Sequence, residues 1–219
     1  MFYQQKKYLQ FLLKSSNQHG VHSPFVYQLI TKCFYKKIDK NLWETFLKTN
    51  ISVLKNKENS NSKSDKNRIL SHKKTKLLLR IISYFNPKSM LEISGSSGLK
   101  TVMLANDKEN LCVTTVFDAT EIHSKSIKNK EFDCIYFHNN ENQQITRHHF
   151  NTCLESIHNN SLFILNDIYA NKEATATWSS LKKHSKVSVS IDLFYFGIIF
   201  FRREQAKEHF KIRVSLFNC

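Results

Sequence analysis

The chain has 219 residues, 41% of them hydrophobic, and a formal net charge of +15 from 33 Lys and Arg against 18 Asp and Glu. It contains only four glycines and two prolines, a composition that excludes a collagen-like or wholly disordered protein. We therefore expect a globular domain whose positive charge favours anionic partners.

Cysteine usage and hydropathy indicate the compartment. The five cysteines are odd in number and none stands at C-x-x-C spacing, so we expect reduced thiols and no zinc framework. The N-terminus lacks a small-residue cleavage site, and no segment reaches the ~18–20 apolar residues of a membrane span. These features predict a cytoplasmic protein with no transmembrane segment and no metal site.

The first part of the chain has helical patterns. Apolar residues from Phe2 to Ser15 fall on one helical stripe, which predicts a first helix. Ser23 can cap a second helix that has Pro24 in its first turn. We interpret residues 1–54 as an N-terminal helical extension.

A polar, basic segment follows. Residues 55–68 contain no apolar side chain, which predicts a linker, and the wider stretch from Lys36 to Arg80 has 13 basic and 4 acidic residues. This stretch is either a solvated linker or a nucleic-acid patch. The segment has no aromatic side chains for base stacking, so we favour the linker and keep nucleic-acid binding as a possible but less favoured alternative.

Two of the four glycines stand together after an apolar run, in M-L-E-I-S-G-S-S-G. Thr75 to Phe85 is a predicted helix that ends before Asn86-Pro87, and Ser89 to Ile93 is a predicted strand. A tight loop from Ser94 to Gly98 and a short helix from Leu99 to Asn106 would follow. This strand, loop and helix fit a nucleotide loop, a methyl-donor loop or a plain turn.

Strands and helices alternate through the rest of the chain. The predicted strands are Cys112 to Asp118, Phe132 to Phe137 and Ser161 to Asp167, and the predicted helices are Gln144 to Ile157 and Glu173 to His184. This alternation predicts a parallel sheet with helices on both faces, an α/β domain over residues 69–219. Val187 to Arg202 contains two strands around a turn near Tyr195 to Gly197, which predicts a C-terminal antiparallel hairpin.

The glycine loop, the preceding Y-F-N-P and the tail V-S-V-S-I-D-L-F-Y-F-G-I-I-F-F-R resemble the class I S-adenosylmethionine-dependent methyltransferases, in particular a methyltransferase-like family common in Bacteroidetes. The resemblance implies a Rossmann-like methyltransferase sheet. Only 13 residues run from Ala119 to Glu131, whereas a strand–helix–strand unit takes about 30. We therefore expect the sheet to be shortened by one strand-helix unit, and Cys112 to Asp118 can be either the second or the third strand of the usual fold.

The resemblance also implies a donor site. Its loop would comprise Glu92, Ser94, Gly95 and Gly98, and Asp118 would accept hydrogen bonds from the ribose hydroxyls. Ser94 stands where the family has its first glycine, so a side chain obstructs the close approach of backbone and donor. We expect S-adenosylmethionine binding to be weak or lost.

On the acceptor side, His138-Asn139-Asn140 follows one strand and Asn166-Asp167 the next. Since Asp167 is the one carboxylate of these residues, a divalent cation would bind weakly, and His138 is a candidate general base. The hypothesis is methyl transfer to an unknown small-molecule hydroxyl or amine, with His138 and Asp167 as catalytic residues. The alternatives are an inactive pseudo-methyltransferase that serves as a binding or scaffold module, and a nucleic-acid-associated basic protein. The sequence identifies neither the acceptor nor the oligomeric state.

Overall fold

The structure is a computed structural model that describes residues 2–58, 72–93, 111–116, 129–138 and 142–214, with the backbone alone at 50–58 and 72. The α-helices in these residues are α1 (Phe2–Lys14), α2 (Pro24–Leu29), α3 (Lys40–Glu58), α4 (His72–Phe85), α5 (Gln143–Cys153) and α6 (Lys172–Leu181). The strands are β1 (Ser89–Ile93), β2 (Cys112–Val116), β3 (Cys134–Phe137), β4 (Leu162–Asn166), β5 (Val189–Asp192), β6 (Phe196–Phe200) and β7 (Glu208–Lys211).

These elements form two compact units. The first contains α1, the sheet, α5 and α6, and the second contains residues 21–58 and 72–86. Within the second unit, the buried guanidinium of Arg80 donates to the Phe34 carbonyl at 2.7 Å and to the Lys36 carbonyl at 3.1 Å. These bonds attach α4 to the end of the π-helix Ile30–Phe34, which continues α2.

Helix starts follow local capping chemistry. The Ser23 hydroxyl accepts a hydrogen bond from the Val26 amide at 3.4 Å, as the sequence predicts, and Pro24 is the first residue of α2. Asn142 caps α5 and Asn171 caps α6 in the same way, each accepting from the amide three positions later. A side-chain acceptor at this position satisfies an amide that the helix itself leaves without a partner.

The seven strands form one sheet in the order β2-β1-β3-β4-β6-β5-β7. The first four strands are parallel, and β6 is antiparallel to both β4 and β5. This arrangement confirms the Rossmann-like methyltransferase sheet and the C-terminal antiparallel hairpin. The edge strand β7, parallel to β5, was not predicted, because its sequence E-H-F-K has no apolar run.

Both faces of the sheet are buried. On one face, Leu91, Phe137 and Leu165 pack in a core cluster with Phe11 of α1, Phe150 of α5 and Trp178 of α6. On the other face, alternate residues such as Met90, Tyr136 and Ile164 have no exposed surface. Burial on both faces explains why these strands read as continuous apolar runs.

Two details of the predicted elements differ in the structure. The hairpin turn comprises residues 193–195, and its positive φ belongs to Phe194 at 70°, whereas Gly197 lies within β6. Helix α3 was not predicted, and it extends to Glu58, which lies in the predicted linker. The remainder of that linker and the crossover from 117 to 128 lie outside the described residues, so the missing strand-helix unit and the domain boundaries stay predictions. No helix in the described ranges is long and apolar enough to cross a membrane.

Candidate functional site

Three of the candidate site residues lie in the described part of the chain: Glu92, His138 and Asp167. They lie at or just beyond the C-terminal ends of β1, β3 and β4, three neighbouring parallel strands. The other candidates, Ser94, Gly95, Gly98 and Asp118, lie outside the described residues. Because the C-terminal ends of parallel strands meet at one edge, the fold places the three described candidates along the same edge of the sheet.

This edge contains the point at which successive strands are added on opposite sides of β1. From β1 the chain passes to β2 on one side of β1 and then to β3 on the other side. Ligands of open α/β sheets bind in the crevice at such a topological switch point. Glu92 lies on β1 and His138 directly follows β3, the two strands between which the switch point lies.

Glu92 is fully buried. It pairs in register with Thr115 of β2 and Tyr136 of β3, so these three side chains point to one face of the sheet. Burial raises the pKa of the Tyr136 phenol well above its usual value, and the charges of Glu92 and Asp167 add to this effect. The carboxyl group of Glu92 therefore lies beside a phenol that stays protonated.

Backbone and side-chain hydrogen bonds join the ends of these strands. The His138 amide donates to the Ile93 carbonyl at 3.1 Å, and the His138 carbonyl accepts from Asn166 Nδ2 at 3.3 Å. The imidazole of His138 is half-buried, with its centroid 6.1 Å from that of the Tyr136 ring. His138 thus has a defined position between β1 and β4.

Asp167 adopts a left-handed backbone conformation with φ of 51°. Asp tolerates this region better than most residues, because its short side chain can form local hydrogen bonds. The Asp167 amide donates to the Tyr195 carbonyl at 2.8 Å, and its carbonyl accepts from the Ala170 amide at 2.9 Å. The turn after β4 is therefore attached to the β5–β6 turn.

Tyr195 is a neighbour of the candidate site that was not predicted from the sequence. Burial raises its pKa, and the nearby Tyr8 and the carboxylate of Asp167 raise it further, which places all three groups in one neighbourhood. The adjacent Phe194 packs against Tyr8 at 4.8 Å and stacks on Tyr169 at 5.1 Å between ring centroids. The aromatic run F-Y-F that leads into β6 was the available sequence signal for this neighbourhood. Its contacts with α1 and with the turn after β4 form only in the folded chain.

Metal ligands are sparse. Within the described residues, no three side chains of His, Cys, Asp or Glu lie together as a metal ion would require. Along this edge, Asp167 supplies the carboxylate on the acceptor side and His138 and Asn166 supply an imidazole and an amide, whereas the carboxyl group of Glu92 is fully buried on β1. This donor set suits proton transfer and hydrogen bonding better than a hard divalent cation.

Comparisons with known proteins concern the fold. No family model and no curated protein matches the chain. Among solved structures, it is similar to the S-adenosylhomocysteine-bound methyltransferase PaMTH1 of Podospora anserina, with 10% identity over 81% of this chain and 93% of that one, and a TM-score of 0.47.

Two O-methyltransferases show a comparable similarity. TomG of Streptomyces achromogenes, solved with S-adenosylmethionine, has 14% identity over 81% of this chain and 95% of that one, with a TM-score of 0.43. The Bacillus cereus enzyme, solved with S-adenosylhomocysteine, has 13% identity over 74% and 91%, with a TM-score of 0.43. At these values the fold assignment rests on the strand order of the chain itself.

Proposed function

We propose that this chain is an S-adenosylmethionine-dependent methyltransferase that acts on a small-molecule hydroxyl or amine. The proposal is carried by one observation: Glu92, His138 and Asp167 lie along the edge that contains the topological switch point. Glu92 also begins E-I-S-G-S-S-G, the segment that resembles a methyl-donor loop.

The described residues fit the donor at the β1 end of this edge. A buried carboxyl group beside the switch point supplies an acceptor for the amino or hydroxyl groups of a ligand, and Glu92 is such a group. With Glu92, the loop residues Ser94, Gly95 and Gly98 and the acid Asp118 would hold the donor. When bound, the donor supplies a methyl group on a sulfonium, which is an electrophile.

The acceptor side must receive a proton from the attacking hydroxyl or amine. Imidazole titrates near neutral pH, and the half-buried His138 lies at the end of β3 next to the Asp167 turn. We assign the general-base role to His138 and the orientation of the acceptor to Asp167. Tyr195 and Tyr8 would supply apolar walls for the acceptor, and most of the rate gain would come from positioning.

We expect weak donor binding. Ser94 adds a side chain where the backbone should approach the ligand, and the 13 residues from Ala119 to Glu131 leave little chain for an adenine wall. The loss of several hydrogen bonds worth ~0.5–1.5 kcal/mol each would weaken binding by roughly 10²–10³-fold relative to a competent enzyme.

Calorimetric titration with S-adenosylhomocysteine tests donor binding. We expect a measurable Kd in the wild type, at least tenfold weaker binding for Glu92→Gln and for Asp118→Asn, and no change for Glu155→Gln, whose carboxylate is exposed. Thermal unfolding of each variant verifies folding. No binding at millimolar ligand would contradict the proposal and favour an inactive binding or scaffold module.

Transfer from methyl-tritiated S-adenosylmethionine to a panel of phenols and amines tests catalysis. We expect His138→Ala to lower kcat by 10²-fold or more, the usual contribution of general-base catalysis. Asp167→Asn preserves the left-handed turn, because Asn also tolerates positive φ, and should raise KM more than it lowers kcat. Donor binding without transfer to any acceptor of the panel would favour the scaffold alternative.

A further inference from the structure

A strongly basic surface lies on the first unit and contains none of the residues assigned to methyl transfer. It combines the turn after α6 with the edge strand β7, and we name it the α6–β7 basic surface. Its members are Lys182, Lys183, His184, Lys186, Lys207, His209 and Lys211. The two segments are separated in sequence by the β5–β6 hairpin, so the surface exists only in the folded chain.

Hydrogen bonds hold the two segments together. Lys207 Nζ donates to the carbonyls of Lys183 at 3.1 Å and His184 at 2.9 Å. His209 Nδ1 lies 2.8 Å from the Ser190 hydroxyl. Lys207 therefore caps the carbonyls that follow α6. The ammonium groups of Lys182 and Lys183 are not needed for this capping.

Negative charge near this surface is small. The carboxylate that acts on Lys182 within the described residues is Asp192, which is buried, accepts from Tyr169 and lies 3.7 Å from Lys211 Nζ. Glu208 lies between Lys207 and His209, and the alternation of β7 directs it to the opposite side of the strand. The cations of the surface therefore greatly outnumber the anions.

The pKa shifts of two residues of this surface agree with its excess of positive charge. Partial burial lowers the pKa of Lys182, and the charges of Lys211 and Lys183 lower it further. Partial burial also lowers the pKa of His209, with Lys182, Lys207 and Lys183 acting in the same direction. A bound anion would relieve this repulsion.

The length of the surface and its lack of exposed apolar side chains indicate which kind of anionic partner it fits. Lys207 directly precedes β7 and Lys211 is its last residue. Four positions of extended backbone span about 13 Å at ~3.3 Å per residue, which exceeds a single phosphate and matches a row of backbone phosphates. None of the large exposed hydrophobic side chains among the described residues belongs to this surface, so membrane insertion and base stacking lack an anchor.

We propose that the α6–β7 basic surface binds the phosphate backbone of double-stranded nucleic acid without sequence preference. The contacts are ionic, from lysines on a helix end and an edge strand, and no base-reading element is involved. This function is independent of the methyl-donor site. It also differs from binding through the basic stretch Lys36 to Arg80, which the sequence alone suggested.

Fluorescence anisotropy with a labelled 20-base-pair DNA duplex, from about 50 to 200 mM salt, tests the proposal. We expect the wild type to bind with a steep decrease of affinity as salt rises. Lys182→Gln combined with Lys183→Gln should reduce the slope of log K against log salt by about 1.8 and weaken binding at 0.1 M salt roughly tenfold to hundredfold. Lys207→Gln, made separately, should weaken binding in the same direction.

The matched control is Lys36→Gln combined with Lys37→Gln. These lysines are exposed, belong to the second unit and remove the same charge. We expect the control to retain wild-type affinity and slope, and thermal unfolding confirms that all variants are folded. An equal loss in the control would show a general effect of net charge and overturn the proposal, as would binding to phosphatidylserine vesicles with no binding to the duplex.

Discussion

Gly197 of β6 lies against the indole ring of Trp178 from α6, so closely that a Cβ at this position would be 2.6 Å from Cζ3 and 2.7 Å from Cε3. Real Cβ atoms do not approach carbon atoms to this distance, and Trp178 is 2% exposed with little room to shift. The strand glycine therefore permits the packing of α6 on the sheet.

We expect Gly197→Ala to lower the free energy of unfolding by about 1–3 kcal/mol, because overpacking forces the ring or the strand to move. Urea unfolding followed by tryptophan fluorescence measures this loss. The control is Gly20→Ala, where the nearest atom is the Ser16 Cβ at 3.0 Å in an exposed turn, and the loss should be smaller. Equal losses would show that the indole contact is unimportant.

The Asp133 side chain, just before β3, joins the start of β1 to the turn before β4 at the opposite edge of the sheet. Its Oδ2 accepts from the amides of Lys88 and Ser89 at 2.7 and 3.0 Å, and its Oδ1 accepts from His158 Nε2 at 2.9 Å. Desolvation alone would raise its pKa, but the hydrogen bonds from Ser89, Lys88 and His158 together hold the pKa of Asp133 below its usual value.

We expect Asp133→Asn to destabilise the protein by about 1–3 kcal/mol at pH 7. The NH2 group of Asn cannot accept a hydrogen bond, so it would face one of the N–H donors that the carboxylate now binds. A lowered folded-state pKa means that this stabilisation is present above the unfolded pKa of ~4 and is lost as the pH falls through the folded-state value. The difference in the free energy of unfolding between the wild type and Asp133→Asn should therefore decrease in that acidic range. Urea unfolding from pH 7 to pH 3 measures it, with the exposed Glu131→Gln as control. A difference independent of pH would contradict this explanation.

The hydroxyl of Tyr136 is buried and has no hydrogen-bond partner within the described residues. We expect Tyr136→Phe to leave the free energy of unfolding unchanged or to raise it by up to about 1 kcal/mol, because it removes an unsatisfied polar group and keeps the ring.

Tyr169→Phe is the matched comparison. The Tyr169 hydroxyl donates to the buried Asp192 at 2.5 Å, so its removal should cost about 1.5–3 kcal/mol. Chemical unfolding of both variants measures the contrast. A large loss in Tyr136→Phe would show that its hydroxyl forms a stabilising bond.

Ser94→Gly should improve S-adenosylhomocysteine binding by less than tenfold. The substitution removes the side chain from the proposed donor loop but leaves the 13 residues from Ala119 to Glu131 unchanged. Calorimetry on the two proteins measures the ratio of Kd values. A hundredfold improvement would show that Ser94 alone limits donor binding.

Part of the candidate site was predictable from the sequence. Glu92, His138 and Asp167 each follow or end a short apolar run, and the run shows where a parallel strand ends. Once these runs are predicted to be parallel strands, it follows that the three residues lie along the same edge of the sheet. Tyr195 was not predictable, because its relation to Asp167 depends on a hydrogen bond between two turns that lie far apart in sequence.

Local signals in the chain were sufficient for the cap at Ser23, the central strands and the C-terminal hairpin, because capping and runs such as S-L-F-I-L-N act over a few neighbouring residues. The position of β7, the glycine beneath Trp178 and the gathering of Lys183 and Lys207, 24 positions apart, required the folded chain. These features depend on which segments the topology brings together, and a polar strand such as E-H-F-K acquires its structure from pairing with β5 rather than from its own hydrophobic pattern.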